Sequence, residues 1–125
     1  MQKYLPEHGS VLDNGAGPGK YAMKLAEKGF QVTLTDLTPR LVNIAEDKAE
    51  ELQLFNQFSG FHIMDANDLK LLKNKEFDAA LMMGPMYHLR NEHGRDAAVK
   101  ELYRVTKNEG ALYMIDSVKT EKTTP

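Results

Sequence analysis

The chain has 125 residues, 42% of them hydrophobic, which is enough to bury one core but too little for two domains. Its 16 lysines and arginines and 18 aspartates and glutamates give a formal net charge of -2, and no basic run offers an electrostatic surface for nucleic acid. The chain has no cysteine, which excludes disulfide bonds, thiolate metal sites and a cysteine nucleophile.

No segment predicts export or membrane insertion. Residues 1–9 contain a lysine, a proline, a glutamate and a histidine, and therefore lack the apolar stretch of a secretory signal. The longest strongly apolar stretch, residues 79–83, is far shorter than the roughly 20 residues that a membrane-spanning helix needs. We expect a soluble cytoplasmic protein with one domain over residues 1–118 and a polar tail over residues 119–125.

In the first half of the chain, apolar runs bounded by turn residues alternate with segments of helical period. The first strand is predicted at residues 10–13, followed by a glycine-rich turn and a helix over residues 20–28 that Gly29 ends. A second strand covers residues 31–35, and Thr38 and Pro39 provide the N-cap and first position of the next helix. One apolar stripe is predicted along that helix, at Leu41, Ile44, Ala45, Lys48, Ala49, Leu52 and Phe55.

The second half continues the alternation. Strands are predicted at residues 60–64 and 77–83, with a short turn or helix at residues 67–72 between them. A third long helix passes through residues 97–105, residues 108–110 end it, and residues 111–116 form a fifth strand. These elements predict an α/β fold, a doubly wound, mostly parallel five-stranded sheet with helices on both faces and a ligand crevice where the strand order reverses.

The strongest local signal is VLDNGAGPG at residues 11–19, where a strand runs directly into three alternate glycines and then a helix. Glycines allow positive φ and close approach to a ligand, and the free N–H groups of the following helix suit a carboxylate or phosphate. A dinucleotide fingerprint, G-x-G-x-x-G, would place its third glycine at the position of Lys20, so the spacing argues against NAD. A tight strand-to-helix turn without a ligand is the alternative.

Asp13 followed by Gly15, Gly17 and Gly19 resembles the first motif of the class I S-adenosylmethionine-dependent methyltransferases, an acidic residue two places before G-x-G-x-G. The resemblance covers nearly the whole chain and implies their Rossmann-like fold and S-adenosyl-L-methionine as cofactor. Its further pieces follow in the family's order: Thr35-Asp36, Met64-Asp65-Ala66, Phe77-Asp78, and Leu102-Tyr103-Arg104-Val105 with Gly110.

The resemblance implies a cofactor-binding role for each matched position. Asp36, about 20 residues past the turn, would accept the ribose hydroxyls, and its alternative is a helix-entry acid. Asp65 would accept from the adenine amino group beside the N–H of Ala66, and its alternative is a turn acid. Leu37 and Met64 would enclose the adenine ring.

The other end of the cofactor is cationic. The resemblance implies that Asp13, with carbonyls near Met83 and Gly84, faces its ammonium and sulfonium groups, where negative potential is favourable. Gly15, Ala16, Gly17 and Gly19 would form the turn beneath its amino-acid tail. No metal site is predicted.

The segment Gly84-Pro85-Met86-Tyr87-His88-Leu89 is similar to the Gly-Pro-Leu-Tyr-His-Leu segment of a bacterial group of these enzymes. It follows the fourth predicted strand, where the substrate would arrive. Tyr87 and His88 are the candidate catalytic residues, because a neutral imidazole can remove a proton from an oxygen or nitrogen nucleophile during methyl transfer. The alternative for His88 is a structural histidine that bonds the backbone, and methyl transfer requires no protein base.

The family's fold normally begins with helices before the first strand and ends with a helix and an antiparallel strand pair, so we expect this chain to be truncated at both ends and to lack the final strand pair. An uncovered edge beside the fifth strand would favour a homo-oligomer. The main hypothesis is methyl transfer to an oxygen or nitrogen of a small molecule, without nucleic acid or membrane partners. The alternatives are a non-catalytic S-adenosylmethionine-binding or interaction module and an NAD-dependent oxidoreductase.

Overall fold

The computed structural model describes residues 9–65, 68–82 and 92–114. Three helices and a short 3-10 helix connect most of the strands in the described residues, and all of the strand pairs are parallel, in the order β3-β2-β1-β4-β5. This arrangement confirms the predicted α/β class and five-stranded parallel sheet. The elements are β1 (Ser10–Asn14), α1 (Lys20–Glu27), β2 (Gln31–Asp36), α2 (Pro39–Glu51), a 3-10 helix (Phe55–Gln57), β3 (Phe58–Ile63), β4 (Phe77–Met82), α3 (Glu92–Val105) and β5 (Thr106–Met114).

Alternate residues of the central strands face opposite sides of the sheet, so the core consists of two apolar clusters. Val11 faces the cluster formed with α1 and α2, whereas Leu12 faces the cluster that contains Leu102 and Val105 of α3. The helices therefore cover both faces, as predicted. Chain order reverses between β1 and β4, and the carboxyl ends of these strands border the crevice where doubly wound sheets bind ligands.

The buried face of α2 differs from the predicted stripe. Ala45 and Ala49 are buried as predicted, but the third buried residue is Val42, which the stripe omitted. The large side chains of Ile44 and Leu52 are exposed instead. Small alanine side chains let α2 lie close to the sheet, so the buried face is the one with the least bulk rather than the most apolar surface. Phe55 lies outside the helix and stacks on Phe61, with ring centroids 5.9 Å apart.

The predicted boundary between α3 and the fifth strand is also wrong. Strand β5 begins at Thr106, directly after the helix, and residues 108–110 belong to the strand. The extra residues form an irregularity, because the register passes from Phe77 opposite Thr106 to Ala79 opposite Ala111. Gly110 belongs here because a Cβ at this position would lie 2.6 Å from the Asp78 carbonyl oxygen. Self-association through the edge of β5 stays a prediction.

A partly buried ion pair, Arg104 with Glu101, joins α3 to the segment between β3 and β4. The guanidinium of Arg104 contacts the carboxylate of Glu101 at 2.9 Å and donates to the carbonyls of Leu69 and Leu72 at 2.8 and 3.0 Å. Glu101 in turn accepts from the Leu69 N–H at 2.8 Å. Hydrogen bonds donated by Arg104 lower the pKa of Glu101, so the pair stays ionised and holds residues 69–72 against α3.

Within the described residues, no helix has the length and apolar character needed to cross a membrane.

Gly19→Ala should destabilise the chain more than Gly29→Ala does. Both glycines have positive φ, 89° and 98°, which costs an alanine about 1–2 kcal/mol. Only at position 19 would the new Cβ be crowded, by Ala45, Leu34 and Met23 at 3.2–3.3 Å, which adds about 1–3 kcal/mol. Urea unfolding of both variants measures the difference, and equal losses would contradict the packing role of Gly19.

Candidate functional site

The glycine-rich turn between β1 and α1 is held by the end of β2. The N–H groups of Gly15 and Ala16 both donate to the carbonyl oxygen of Thr35, each at 2.9 Å. The next N–H, of Gly17, donates to Asp36 Oδ1 at 3.0 Å. Three consecutive N–H groups of the turn are thus bonded within the protein.

The three glycines of the turn serve two purposes. All have positive φ, between 60° and 89°, a conformation that favours glycine. A Cβ built on Gly15 or Gly17 meets nothing within 4 Å, so the backbone there borders open space that a ligand could approach. A Cβ on Gly19 would instead press on the core, so this glycine allows α1 to lie close to β2 and α2.

Asp36 connects the turn to the start of α2. Its Oδ1 accepts from Gly17, and its Oδ2 accepts from the Thr38 N–H at 3.0 Å. Thr38 occupies the N-cap position as predicted, but its side chain makes no capping bond. The carboxylate of Asp36 thus acts at the helix entry, and each of its oxygens keeps a second lone pair for a further donor.

These bonds change the expected polarity of the crevice. The turn was expected to present free N–H groups to an anion, but the N–H groups of residues 15–17 are already donated, and that of Gly19 donates to the Ala16 carbonyl at 3.1 Å. Pro18 has no N–H group. What this part of the crevice offers is therefore negative charge, from the carboxylates of Asp13 and Asp36.

Asp13 is the most unusual polar side chain in the described part of the chain. It lies in β1 and is 2% exposed. Its Oδ2 atom has no hydrogen-bond partner, although a buried carboxylate oxygen normally has one. An acceptor that is buried, negatively charged when ionised and unpartnered is suited to a cationic donor.

The pKa of the Asp13 carboxyl is raised from 3.8 to about 7, mainly by burial and also by the charge of Asp36, while a hydrogen bond from the Ala22 backbone partly opposes both effects. A positively charged group beside Asp13 would favour the ionised form. The state of this carboxyl near neutral pH is therefore sensitive to what binds next to it.

Asn14 and Thr35, which the sequence analysis did not single out, form a buried polar pair behind the turn. Both are 0% exposed and lie opposite each other in the register of β1 and β2. The Thr35 hydroxyl donates to Asn14 Oδ1 at 2.9 Å, and the Asn14 amide lies 3.8 Å from Met82 Sδ on β4. The sequence signal for the pair is a polar residue near the carboxyl end of each of two neighbouring strands, SVLDN and QVTLTD.

The candidate residues for the adenine ring differ in burial: Leu37 and Asp65 are exposed, and Met64 is buried. Leu37 is 49% exposed just past β2, whereas Met64 is buried in the cluster that faces α3. The Met64 N–H donates to the Asp36 carbonyl at 3.0 Å, which brings the ends of β2 and β3 together. Asp65 is exposed, and its carbonyl accepts from the Asp68 N–H at 2.9 Å in a turn.

Five candidate residues lie outside the described part of the chain. They are Ala66, Met83, Gly84, Tyr87 and His88. Among residues 9–65, 68–82 and 92–114, no group of three or more histidine, aspartate or glutamate side chains could hold a metal ion.

A groove of about 410 Å³ between α1 and α2 is separate from this site. None of the carboxylates or open glycines of the turn lines it. Its lining residues are Pro18, Lys20, Met23, Lys24, Glu27, Lys48 and Leu52.

Residues 11–110 match a protein family described as a methyltransferase domain. A glycine/sarcosine N-methyltransferase of Parasynechococcus marenigrum is 33% identical over 90% of this chain and 40% of its own length. A tRNA (carboxymethyluridine(34)-5-O)-methyltransferase of Arabidopsis thaliana is 33% identical over 85% of this chain and 23% of its own length. Among solved structures, a SAM-dependent methyltransferase from Methanosarcina mazei has a TM-score of 0.75 at 29% identity, over 85% of this chain and 51% of that one.

The chain thus spans about half or less of the length of these proteins. Their names include both a small-molecule and a tRNA methyltransferase, so the expectation that nucleic acid is no partner is not confirmed. The expected cofactor is S-adenosylmethionine. The described residues fit its chemistry, since the unpartnered Asp13 oxygen suits a cationic amino-acid end and the open backbone at Gly15 and Gly17 leaves room beside it.

Asp13→Asn should change how stability depends on pH. Because the pKa of Asp13 is higher in the folded chain than in the unfolded chain, its contribution is fully present below pH 4 and is lost as pH rises to about 7. Relative to Asp13→Asn, the wild type should lose up to roughly 1 kcal/mol of unfolding free energy per pH unit in this window. Urea unfolding at several pH values measures the slope.

The buried asparagine amide adds a cost that does not depend on pH, so the slope and not the absolute stability is compared. Asp47→Asn is the matched control, because Asp47 is exposed on α2. Parallel curves for wild type and Asp13→Asn would contradict the raised pKa.

Proposed function

The chain belongs to the class I S-adenosylmethionine-dependent methyltransferase family, and we propose that it binds S-adenosyl-L-methionine at the carboxyl ends of β1 and β2 and transfers the methyl group to a small-molecule nucleophile. The observation that carries the proposal is the buried Oδ2 of Asp13, a carboxylate oxygen without a partner. In the proposed complex this oxygen accepts from the cofactor's ammonium group, which removes the cost of leaving a buried acceptor unsatisfied.

The polarity of the crevice supports this ligand over NAD. A dinucleotide pyrophosphate needs several free N–H groups from the turn and helix start. Here the N–H groups of Gly15, Ala16 and Gly17 are donated to β2, and two carboxylates lie nearby. Repulsion between those carboxylates and a pyrophosphate disfavours the oxidoreductase alternative.

Each residue of the proposed site has a distinct task. Asp13 holds the cationic end, and the backbone at Gly15, Ala16 and Gly17 lets the amino-acid tail approach closely. Asp36 accepts the ribose hydroxyls with the lone pairs that Gly17 and Thr38 leave available. Gly19 keeps α1 against the sheet, and the adenine is bounded by Leu37, Met64, Asp65 and Ala66.

When bound, S-adenosyl-L-methionine supplies a methyl group on a positively charged sulfur, which a nucleophile displaces in line. In our proposal the segment after β4 completes the site: the carbonyls near Met83 and Gly84 face the sulfonium, and Tyr87 orients the acceptor. His88 accepts the proton that the oxygen or nitrogen nucleophile loses. A small-molecule acceptor agrees with the net charge of -2 and the lack of a basic run in the sequence.

Asp36→Ala should weaken binding of S-adenosylhomocysteine by roughly 1–3 kcal/mol, because it removes a charged acceptor of hydrogen bonds. Isothermal titration with S-adenosylhomocysteine, S-adenosylmethionine and NAD measures the affinities. The wild type should bind both adenosyl ligands and not NAD. Asp47→Ala, an exposed aspartate of α2, is the control for a general loss of acidic charge.

Binding of NAD without either adenosyl ligand would overturn the proposed function. An unchanged dissociation constant in folded Asp36→Ala would contradict the ribose assignment alone, since the cofactor would still bind. Circular dichroism of each variant checks that loss of the bonds to Gly17 and Thr38 has not unfolded the chain.

Transfer of labelled methyl groups tests the acceptor class and His88. With pooled small amines and carboxylic acids in one arm and tRNA in the other, label should enter the small-molecule fraction. His88→Ala should leave the affinity for S-adenosylhomocysteine unchanged and slow transfer by about 10²-fold or more, the usual effect of losing a general base. Transfer to tRNA would contradict the small-molecule acceptor, and tight cofactor binding without transfer to either pool would favour the non-catalytic module.

A further inference from the structure

The Asn14–Thr35 pair is an unexpected feature of the sheet interior. On this face of β1, Leu12, two residues before Asn14, belongs to the apolar cluster that α3 covers. The neighbouring side chains of β2 on the same face are buried threonines, Thr33 and Thr35. Yet the last residue of β1 and the residue opposite it on β2 carry an amide and a hydroxyl, and both side chains are 0% exposed. An apolar pair of similar shape would fill the same space.

The Asn14–Thr35 pair is not expected to make the folded chain more stable than an apolar pair of the same shape would. Removing an amide and a hydroxyl from water costs free energy that their hydrogen bonds inside the protein largely offset rather than exceed. Replacing both partners of a buried bond by apolar groups of the same shape is often close to neutral. What a hydrogen bond provides that apolar contact does not is direction, because its energy falls steeply with distance and angle.

A fixed orientation of Thr35 is important because its backbone carbonyl holds the glycine-rich turn. Its hydroxyl bonds Asn14, and its carbonyl accepts from both Gly15 and Ala16. The next residue, Asp36, holds Gly17. A shift of the end of β2 relative to β1 would therefore move the turn and Asp36 together, while Asp13 stays with β1.

We propose that Asn14 and Thr35 are positioning residues for the adenosyl-ligand site, fixing the end of β2 against β1 so that the turn and the carboxylates of Asp13 and Asp36 keep one arrangement. The inference rests on the proposed function, because it concerns the site of that cofactor. Neither side chain is assigned a contact with the ligand. Their effect is exerted through the backbone of the turn.

The first test compares isosteric and conservative changes at one position. Thr35→Val removes only the hydroxyl bond and should weaken S-adenosylhomocysteine binding by about tenfold, the usual net worth of one such bond. Thr35→Ser keeps the hydroxyl and should bind within about twofold of wild type. Thr33→Val is the matched control, since Thr33 is buried on the same face of β2 two residues earlier and should leave the affinity unchanged.

The second test separates positioning from stability. Asn14→Leu leaves the Thr35 hydroxyl without its partner and should lower the stability to urea. Adding Thr35→Val removes that unpaired hydroxyl and should restore part of the lost stability. If the pair positions the site, the double variant stays about tenfold weaker for S-adenosylhomocysteine despite its partly restored stability. The double variant also serves if either single variant does not fold.

The outcomes are distinguishable. Recovery of wild-type affinity together with stability in the double variant would overturn the positioning role, as would a Thr35→Val variant that binds as the wild type does. Wild-type protein that binds no adenosyl ligand would instead overturn the proposed function on which the inference rests.

Discussion

The hydrogen bonds from the glycine-rich turn to the end of β2 are the constraint on which the rest of the site depends. The Thr35 carbonyl and the Asp36 carboxylate together take the N–H groups of Gly15, Ala16 and Gly17. Parallel pairing of β1 and β2 brings these acceptors to the turn, and positive φ at the glycines directs the N–H groups toward them. One set of hydrogen bonds therefore sets both the shape of the turn and the position of Asp36.

The same bonds decide the electrostatic character of the crevice. A glycine turn at a helix start is often read as an anion site, because its N–H groups and the helix dipole are positive. In this chain the N–H groups of Gly15, Ala16 and Gly17 donate to the end of β2. The nearby charged groups are carboxylates, and the buried Oδ2 of Asp13 has no hydrogen-bond partner. The distinction between an ammonium and a phosphate thus depends on where a few N–H groups point, which motif spacing alone only suggests.

Much of the fold could be predicted from the sequence because strands and helices have different periods and end at recognisable residues. The edges of β1, α1 and β2 are correct to within one residue, since Gly29 and the Thr38-Pro39 pair are strong local signals. The buried face of α2 and the start of β5 were wrong, because they depend on how closely two elements pack. The predicted apolar stripe of α2 omitted Val42, which is buried. Gly110 was predicted to end α3, but it lies in β5, where the lack of a side chain allows close contact with β4.

For the site, the motif predicted which residues meet at the crevice but not which bonds they make. Asp13, Asp36 and the glycines do lie at the ends of β1 and β2. The bond from Gly17 to Asp36 and the Asn14–Thr35 bond join residues 19 and 21 apart in the chain, and no local pattern encodes them. The unpartnered Oδ2 of Asp13 likewise depends on how the whole site packs around it. The cofactor-binding and catalytic roles of all the candidate residues stay predictions, and Ala66, Met83, Gly84, Tyr87 and His88 lie outside the described residues.

All of the bonds that shape the turn fall between Ser10 and Thr38, a single strand-helix-strand unit. None of these bonds involves α3 or β5, whereas Met82 of β4 lies 3.8 Å from the Asn14 amide behind the turn. Such a division of the chain lets natural selection alter one half for a new chemistry while the other half is inherited intact. The similar proteins named for glycine/sarcosine and for tRNA methylation agree with such a division.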